Sequence, residues 1–296
     1  MSYLIKGPCS PAWTFKPLCM IRTSFNKLIV ITFLLMSSMV MQAQDSTTNK
    51  LSFKIGTYYN SNLNYYGRTD SLKSSGVFPM AELWLNNKFY INAAPVFTFK
   101  SNKNFEYAGA VTTAGFLYNN GKSATHIYLI KPIYKENSEL VQSALKAQAA
   151  FNYSWLNKIV NVTVGVDAKF SNSTDFGATA GIDHIFRIPL IKGTVIIDPS
   201  AYLYAGTQRF IETYRQKDNS PLFPRPDRIV TEEVKKISIL SYEFSTPVIY
   251  SSGKWMLLAT PAYIIPQNLV QVENRPDLSE HGEKLFYVTL GARVSF

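Results

Sequence analysis

Charge is scarce in this chain of 296 residues: Asp, Glu, Lys and Arg together make up 17%, against about 25% in an average soluble protein. Aromatics are not scarce, at 14%. That combination excludes intrinsic disorder, which needs high charge and few aromatics. Long apolar runs are also missing. Beyond residue 50 no apolar stretch reaches 18 residues, which excludes a bundle of membrane-crossing helices. Cysteine is confined to Cys9 and Cys19 and histidine to His126, His184 and His281. No run of five Lys or Arg occurs, so the basic excess is too diffuse for a nucleic-acid patch.

Residues 1–43 lack acidic groups and carry Lys6, Lys16, Arg22 and Lys27. Arg22 and Lys27 precede the short apolar run 28–36, and small residues end at Ala43. A charged segment, a short apolar core and a small residue at the cut are the pattern of a cleaved secretory signal peptide. Met20 would begin a leader of ordinary length, which makes 1–19 an upstream extension. The expected division is a signal peptide over 1–43, a short segment over 44–49 and one folded domain over 50–296. Both cysteines fall in the leader. The mature chain is then free of disulfides, thiolate metal sites, a Cys nucleophile and a lipid-bearing Cys. Its net charge falls from +10 to +6 once the leader cations are removed.

What the mature chain does have is alternation. From Phe286 every second residue is Phe286, Val288, Leu290, Ala292, Val294 and Phe296, with Tyr287, Thr289, Gly291, Arg293 and Ser295 between them. Residues 160–171 repeat the pattern, with Val160, Val162, Val164, Val166, Ala168 and Phe170 on one face. Side chains alternate across a strand, so each stretch is a two-faced ribbon. Similar readings cover 53–59, 89–99, 147–155, 176–186 and 197–205, and less cleanly 77–85, 105–118, 124–134, 237–250 and 254–266. That makes about twelve strands, mostly longer than the usual 5–6 residues and matched to the 9–11 that cross a bilayer.

Connection lengths point the same way. Short turns are expected at 86–87, 119–123, 156–157, 189–192 and 251–253, and long polar segments at 61–76, 207–234 and 268–283. Short turns on one side and long loops on the other fit a closed, antiparallel, up-and-down transmembrane β-barrel, all-β, with both termini in the periplasm. Aromatics beside the short turns (Trp84, Phe89, Phe116, Tyr118, Tyr128, Tyr153, Trp155, Tyr250 and Trp255) read as a headgroup girdle.

The tail 286–296, ending on an aromatic, resembles the terminal strand of bacterial outer-membrane β-barrels. The resemblance implies that barrel-assembly machinery reads Tyr287, Val294 and Phe296. The leader ending Gln42-Ala43-Gln44, with its Tyr-, Asn- and Lys-rich chain, resembles barrels of Bacteroidota. These resemblances concern architecture and imply an outer-membrane location.

On the polar face the alternation places Lys54, Lys100, Lys146, Asp167, Lys169, Asp175, Asp183, Arg187, Asp198 and Arg293, with Glu82, Lys131 and Glu243 less securely. Charges at membrane depth are tolerated when they face water or one another. They form either an ion-pair network that fills the lumen or a polar pore lining. Twelve strands enclose more than the filled interior of eight and less than the channel of sixteen, so a narrow or partly plugged lumen is expected. The leading function is a narrow passive channel for small polar solutes, or a structural barrel, working as a monomer or an oligomer, with outer-membrane lipid and the assembly machinery as partners. No enzyme and no cofactor or metal is expected. A lipid-acting hydrolase is the rival; its weak candidate is His281 within 279–283, otherwise a solvated turn, since no GxSxG, P-loop or His-pair motif occurs. A surface-binding or accessory subunit is the third class. The loop 207–234, charged and Pro-containing, either folds partly over the mouth or stays a solvated surface loop.

Overall fold

The structure, a computed structural model, describes residues 51–69, 73–100, 103–135, 138, 140, 144–207, 236–270 and 279–296. The expected leader over 1–43 and most of the loop 207–234 lie outside these residues. The strands are β1 (Ser52–Asn60), β2 (Asn64–Tyr65), β3 (Arg68–Thr69), β4 (Ser75–Leu85), β5 (Phe89–Lys100) and β6 (Lys103–Asn119). They continue with β7 (Ser123–Tyr134), β8 (Ala147–Trp155), β9 (Asn161–Phe170), β10 (Thr174–Asp183), β11 (Phe186–Leu190) and β12 (Gly193–Ile197). The last five are β13 (Ser200–Gly206), β14 (Ser238–Ser245), β15 (Val248–Ser252), β16 (Trp255–Pro266) and β17 (Leu285–Ser295).

β2 and β3 form a small separate hairpin, and all the others join one antiparallel sheet. The sheet closes where β17 pairs with both β16 and β1. Three strands of the ring are split in two, as β10 with β11, β12 with β13, and β14 with β15, so the closed barrel has 12 strands. Closure pairs both edges of every strand segment of the ring except β11, which pairs only with β12, and so meets nearly all of the hydrogen-bonding demand of a bilayer interior.

The three splits have one cause. They fall at His184-Ile185, Asp198-Pro199 and Thr246-Pro247, on neighbouring strands. The amides of His184, Asp198 and Thr246 donate to the carbonyls of Pro199, Pro247 and Pro261 at 3.2, 3.0 and 3.0 Å. Proline has no N–H to return a bond, so each one opens the ladder, and aligned prolines make a seam. The alternation over 176–186, 197–205 and 237–250 runs through this seam without showing it. The eighth strand also runs further than the sequence implied. It reaches Leu190, Pro189 pairs with Thr194, and only Ile191 and Lys192 form the turn.

The short turns are built by their own side chains. Asn86 and Asn87 both take φ of +55°, and Lys88 N–H donates to the Leu85 carbonyl at 3.1 Å. Two left-handed residues give the twist a hairpin prefers, and Asn tolerates that conformation. At 120–122 the Asn120 side chain accepts from the amides of Lys122 and Ser123. Both ends of the domain meet at this short-turn end, where Phe53 and Phe296 exchange backbone bonds.

Alternation fixes the two faces. Ile55, Leu83, Ile91, Leu129, Val166, Phe176, Leu257 and Leu290 all stand exposed on the outer wall. So continuous an apolar exterior is unsuited to water and suited to hydrocarbon. Between them Lys54, Glu82, Thr163, Lys169, Asp175 and Arg293 turn inward and are shielded. Lys131 departs from the expectation. It lies with Leu129 and Ile133 on the outer face and is exposed, because Tyr128, Ile130, Pro132 and Tyr134 take the inward positions. Two aromatics assigned to the girdle also face inward. Trp84 packs against Tyr90, ring centres 4.9 Å apart and planes tilted by 30°, and carries Lys54 over its ring, and Tyr128 lines the lumen.

Candidate functional site

The lumen has two unlike halves. Toward the short-turn end it is a cavity of about 490 Å³. His126, Asn152, Ser154, Asn161, Thr163 and Asp183 line it, with Tyr202 and Tyr204 beyond. The polar groups are already paired with one another. Tyr90 Oη lies 2.8 Å from His126 Nε2, Asn161 Nδ2 donates to Asp183 at 2.6 Å, and the hydroxyls of Ser154 and Thr163 are 2.8 Å apart. Across the same end Glu82 sits between two cations, 3.6 Å from Lys54 Nζ and 3.5 Å from Arg293 Nη1.

Near the ends of β9 and β10 beside their connection 171–173 stands a charged layer. Lys169 Nζ pairs with the Asp167 carboxylate, and the Thr207 hydroxyl donates to Asp175, which is fully buried. Beyond this layer the barrel is packed. On one side Val96, Ala108 and Leu140 form an apolar core, joined by Leu63, Phe78, Val111 and Tyr134. Leu63 and Leu140 come from connections, not from the wall.

On the other side the first connection, 61–74, reaches across the lumen. Its hairpin β2–β3 turns on Tyr66 and Gly67, with φ of 54° and 77°, and Asn64 Oδ1 accepts from the Gly67 amide at 3.1 Å. Tyr66 meets the ring of Tyr204 at 5.1 Å, and Lys169 Nζ lies 5.5 Å from the Tyr66 ring centre. Those partners belong to β13 and β9, on the far side of the ring from β1 and β4. Burial raises the pKa of both Tyr65 and Tyr66.

Arg68 holds the hairpin in place. Its side chain is only 2% exposed. It donates to the carbonyls of Tyr66, Leu240 and Gln267, each at 3.1 Å, and its Nε lies 3.3 Å from Glu280. Glu280 in turn accepts from the Val270 amide at 2.9 Å. Thr69 N–H donates to the His281 carbonyl at 3.1 Å, and Lys73 pairs with Glu283 at 2.5 Å. Burial lowers the Arg68 pKa, and the Glu280 carboxylate opposes that shift. Within 279–283, Glu280 is thus a buried partner of Arg68, while His281 and Glu283 stay exposed as a solvated turn would leave them.

No family model matches the chain, and no curated protein matches it in sequence. Among solved structures it is similar to the KdgM porin, with 10% identity and a TM-score of 0.43 over 83% of this chain and 99% of that one. An outer-membrane channel from Pseudomonas putida F1 gives 10% identity and 0.44 over 86% and 98%. LpxR from Salmonella typhimurium gives 12% and 0.43 over 82% and 99%. By its own pairings the chain is a closed antiparallel β-barrel of 12 strands with an apolar outer wall.

The barrel distributes the expected lumen residues over several places. Lys54 and Arg293 share Glu82 near the short turns, whereas Asp167, Lys169 and Asp175 form the charged layer beside the connection 171–173. Asp183 and Asp198 face each other near Arg187 and His184. Glu243 takes a hydrogen bond from Tyr287. Lys146 lies elsewhere: it is exposed at the rim, bonded to Asn172 at 2.8 Å, because it precedes the first residue of β8. The Lys100 side chain lies outside the described residues. Of the tail residues, Tyr287 turns inward, and Phe296 packs near Phe53 with ring centres 6.3 Å apart. Alternation alone missed the first connection, Arg68 and Glu280, and the inward tyrosines. The clue in the sequence is an Asn64-Tyr65-Tyr66-Gly67 hairpin turn inside a supposed surface loop.

Proposed function

We propose that this protein is a narrow passive conduit for small polar solutes in the outer membrane, held closed at rest by its first connection. The observation that carries the reading is what ends the cavity. The polar space from the short-turn end is lined as far as Tyr204, and the ring against Tyr204 is that of Tyr66, which belongs to a connection and not to the wall. An obstruction made of wall residues would be permanent, whereas one made of a latched hairpin can leave. In this reading the short turns face the periplasm, the leader is removed on export, and the assembly machinery receives the terminal strand.

Planar-bilayer conductance tests it. The intact barrel should be nearly silent, with rare openings. Replacing residues 62–73 by a short Gly-Ser linker should give steady conductance, as should Arg68→Ala to a lesser degree. Silence from all three, in barrels shown to be folded, would leave a structural barrel as the answer.

A further inference from the structure

Each connection at the short-turn end carries one lysine. The connections are 86–88, 120–122, 156–160, 191–192 and 253–254, and they hold Lys88, Lys122, Lys158, Lys192 and Lys254. None of them contains Asp or Glu. The opposite end mixes signs, as with Arg68, Asp70 and Lys73 in the first connection and Glu273, Arg275 and Asp277 in the last. All of these short-turn lysines are exposed, and none forms an ion pair with a described residue. Turn geometry does not require them, because the left-handed positions belong to Asn86, Asn87, Gly121 and Gly253.

Two of them show which way they lean. Lys88 Nζ lies 5.5 Å from the ring centre of Tyr118, and Lys254 Nζ lies 5.9 Å from that of Phe296. Both rings are exposed on the outer wall. These side chains therefore turn toward the lipid side of the rim, not across the mouth of the lumen. Beside them the rim exposes Phe89, Trp155, Ile159, Ile191 and Trp255. A lysine stem can lie along such apolar surface while its ammonium reaches the headgroups.

We infer that the lysines form a ring that binds the phosphates of anionic phospholipids in the leaflet around the short-turn end. Their spacing favours a leaflet over a protein partner. One lysine on each successive hairpin spreads the charge around the circumference, as lipids surround a barrel, whereas a globular partner would meet one arc. A basic residue at an anionic surface gains up to roughly fivefold in partitioning, and a ring multiplies that. The inference rests on the membrane-barrel reading and not on conduction.

The test is refolding of the whole barrel into phosphatidylcholine vesicles with and without phosphatidylglycerol, followed by gel shift. Phosphatidylglycerol should speed folding by about tenfold or more at low salt, and high salt should abolish the gain. A variant with Lys88, Lys122, Lys158, Lys192 and Lys254 all changed to Gln should fold in phosphatidylcholine as before and lose the gain. Lys135→Gln with Lys146→Gln, at the other end, should keep it. If the fivefold variant does not fold, Lys88→Gln with Lys254→Gln should lose a measurable part of the gain. Equal wild-type rates in both lipids would overturn the inference. So would an undiminished gain in the lysine variants, or an equal gain from inorganic phosphate without the anionic lipid.

Discussion

Arg68 shows how much one side chain can hold. It is charged and buried, and its bonds join two connections and the ends of β14 and β16. Removing one partner of a buried pair costs roughly 3–5 kcal/mol, because the other charge is left without water. Lysine is no substitute, since a single ammonium cannot serve the directions a guanidinium fork serves. Arg68→Ala and Arg68→Lys should therefore both free the first connection while the barrel stays closed. Limited trypsin digestion should then cut at Lys73 in the variants and not in the parent, with the shifted gel mobility of the unheated barrel retained. Equal protease resistance would mean that Arg68 is not the latch. None of this was legible in the sequence, where a lone Arg among Asn, Ser and Tyr reads as a solvated loop charge. The inward set on β9 was legible, because Asp167 and Lys169 sit in a strict alternation with Val166 and Ala168.

Among elements, the strands were readable and their interruptions were not. Period two is a local property, so seven of the 12 strands showed it cleanly and the other five less so. The seam at Pro199, Pro247 and Pro261 depends on register between strands, which no single stretch contains. Strand β9 offers a direct test of the faces. Val164 is exposed on the outer wall, and Thr163 turns inward beside Ser154. Arginine at a lipid-facing midplane position costs roughly 2–4 kcal/mol. Thr163→Arg loses one hydroxyl bond, worth about 1 kcal/mol, and projects into a polar cavity that Asp183 also lines. Val164→Arg should lower the folded fraction in urea titration of vesicle-inserted protein by the larger amount. Equal effects would speak against hydrocarbon outside the wall, and a worse Thr163→Arg would mean that the cavity is too tight for the side chain.

At the scale of the whole molecule the barrel is half core and half cavity, and that division governs access. Twelve strands already implied a narrow or partly plugged lumen from their number alone. Which segment plugs it was not legible, because Leu63, Tyr66 and Arg68 find their partners across the ring and in other connections, with no period to betray the contacts. The loop 207–234, expected either over the mouth or solvated at the surface, lies outside the described residues except for Thr207. The asymmetry can be read with one reporter. Asn152 lines the cavity on β8, and both native cysteines precede residue 20, so the chain with Cys9 and Cys19 changed to Ser offers a clean background for Asn152→Cys. In oriented proteoliposomes a membrane-impermeant thiol reagent should modify this cysteine from the short-turn side. From the other side it should react at least tenfold more slowly, because the reagent must first pass the packed half. Adding Arg68→Ala should narrow that difference, and replacing residues 62–73 by a linker should nearly remove it. Rapid labelling from both sides in the parent would show that a path runs past the hairpin at rest. A difference that survives removal of the hairpin would assign the barrier to the core around Val96 and Leu140 instead.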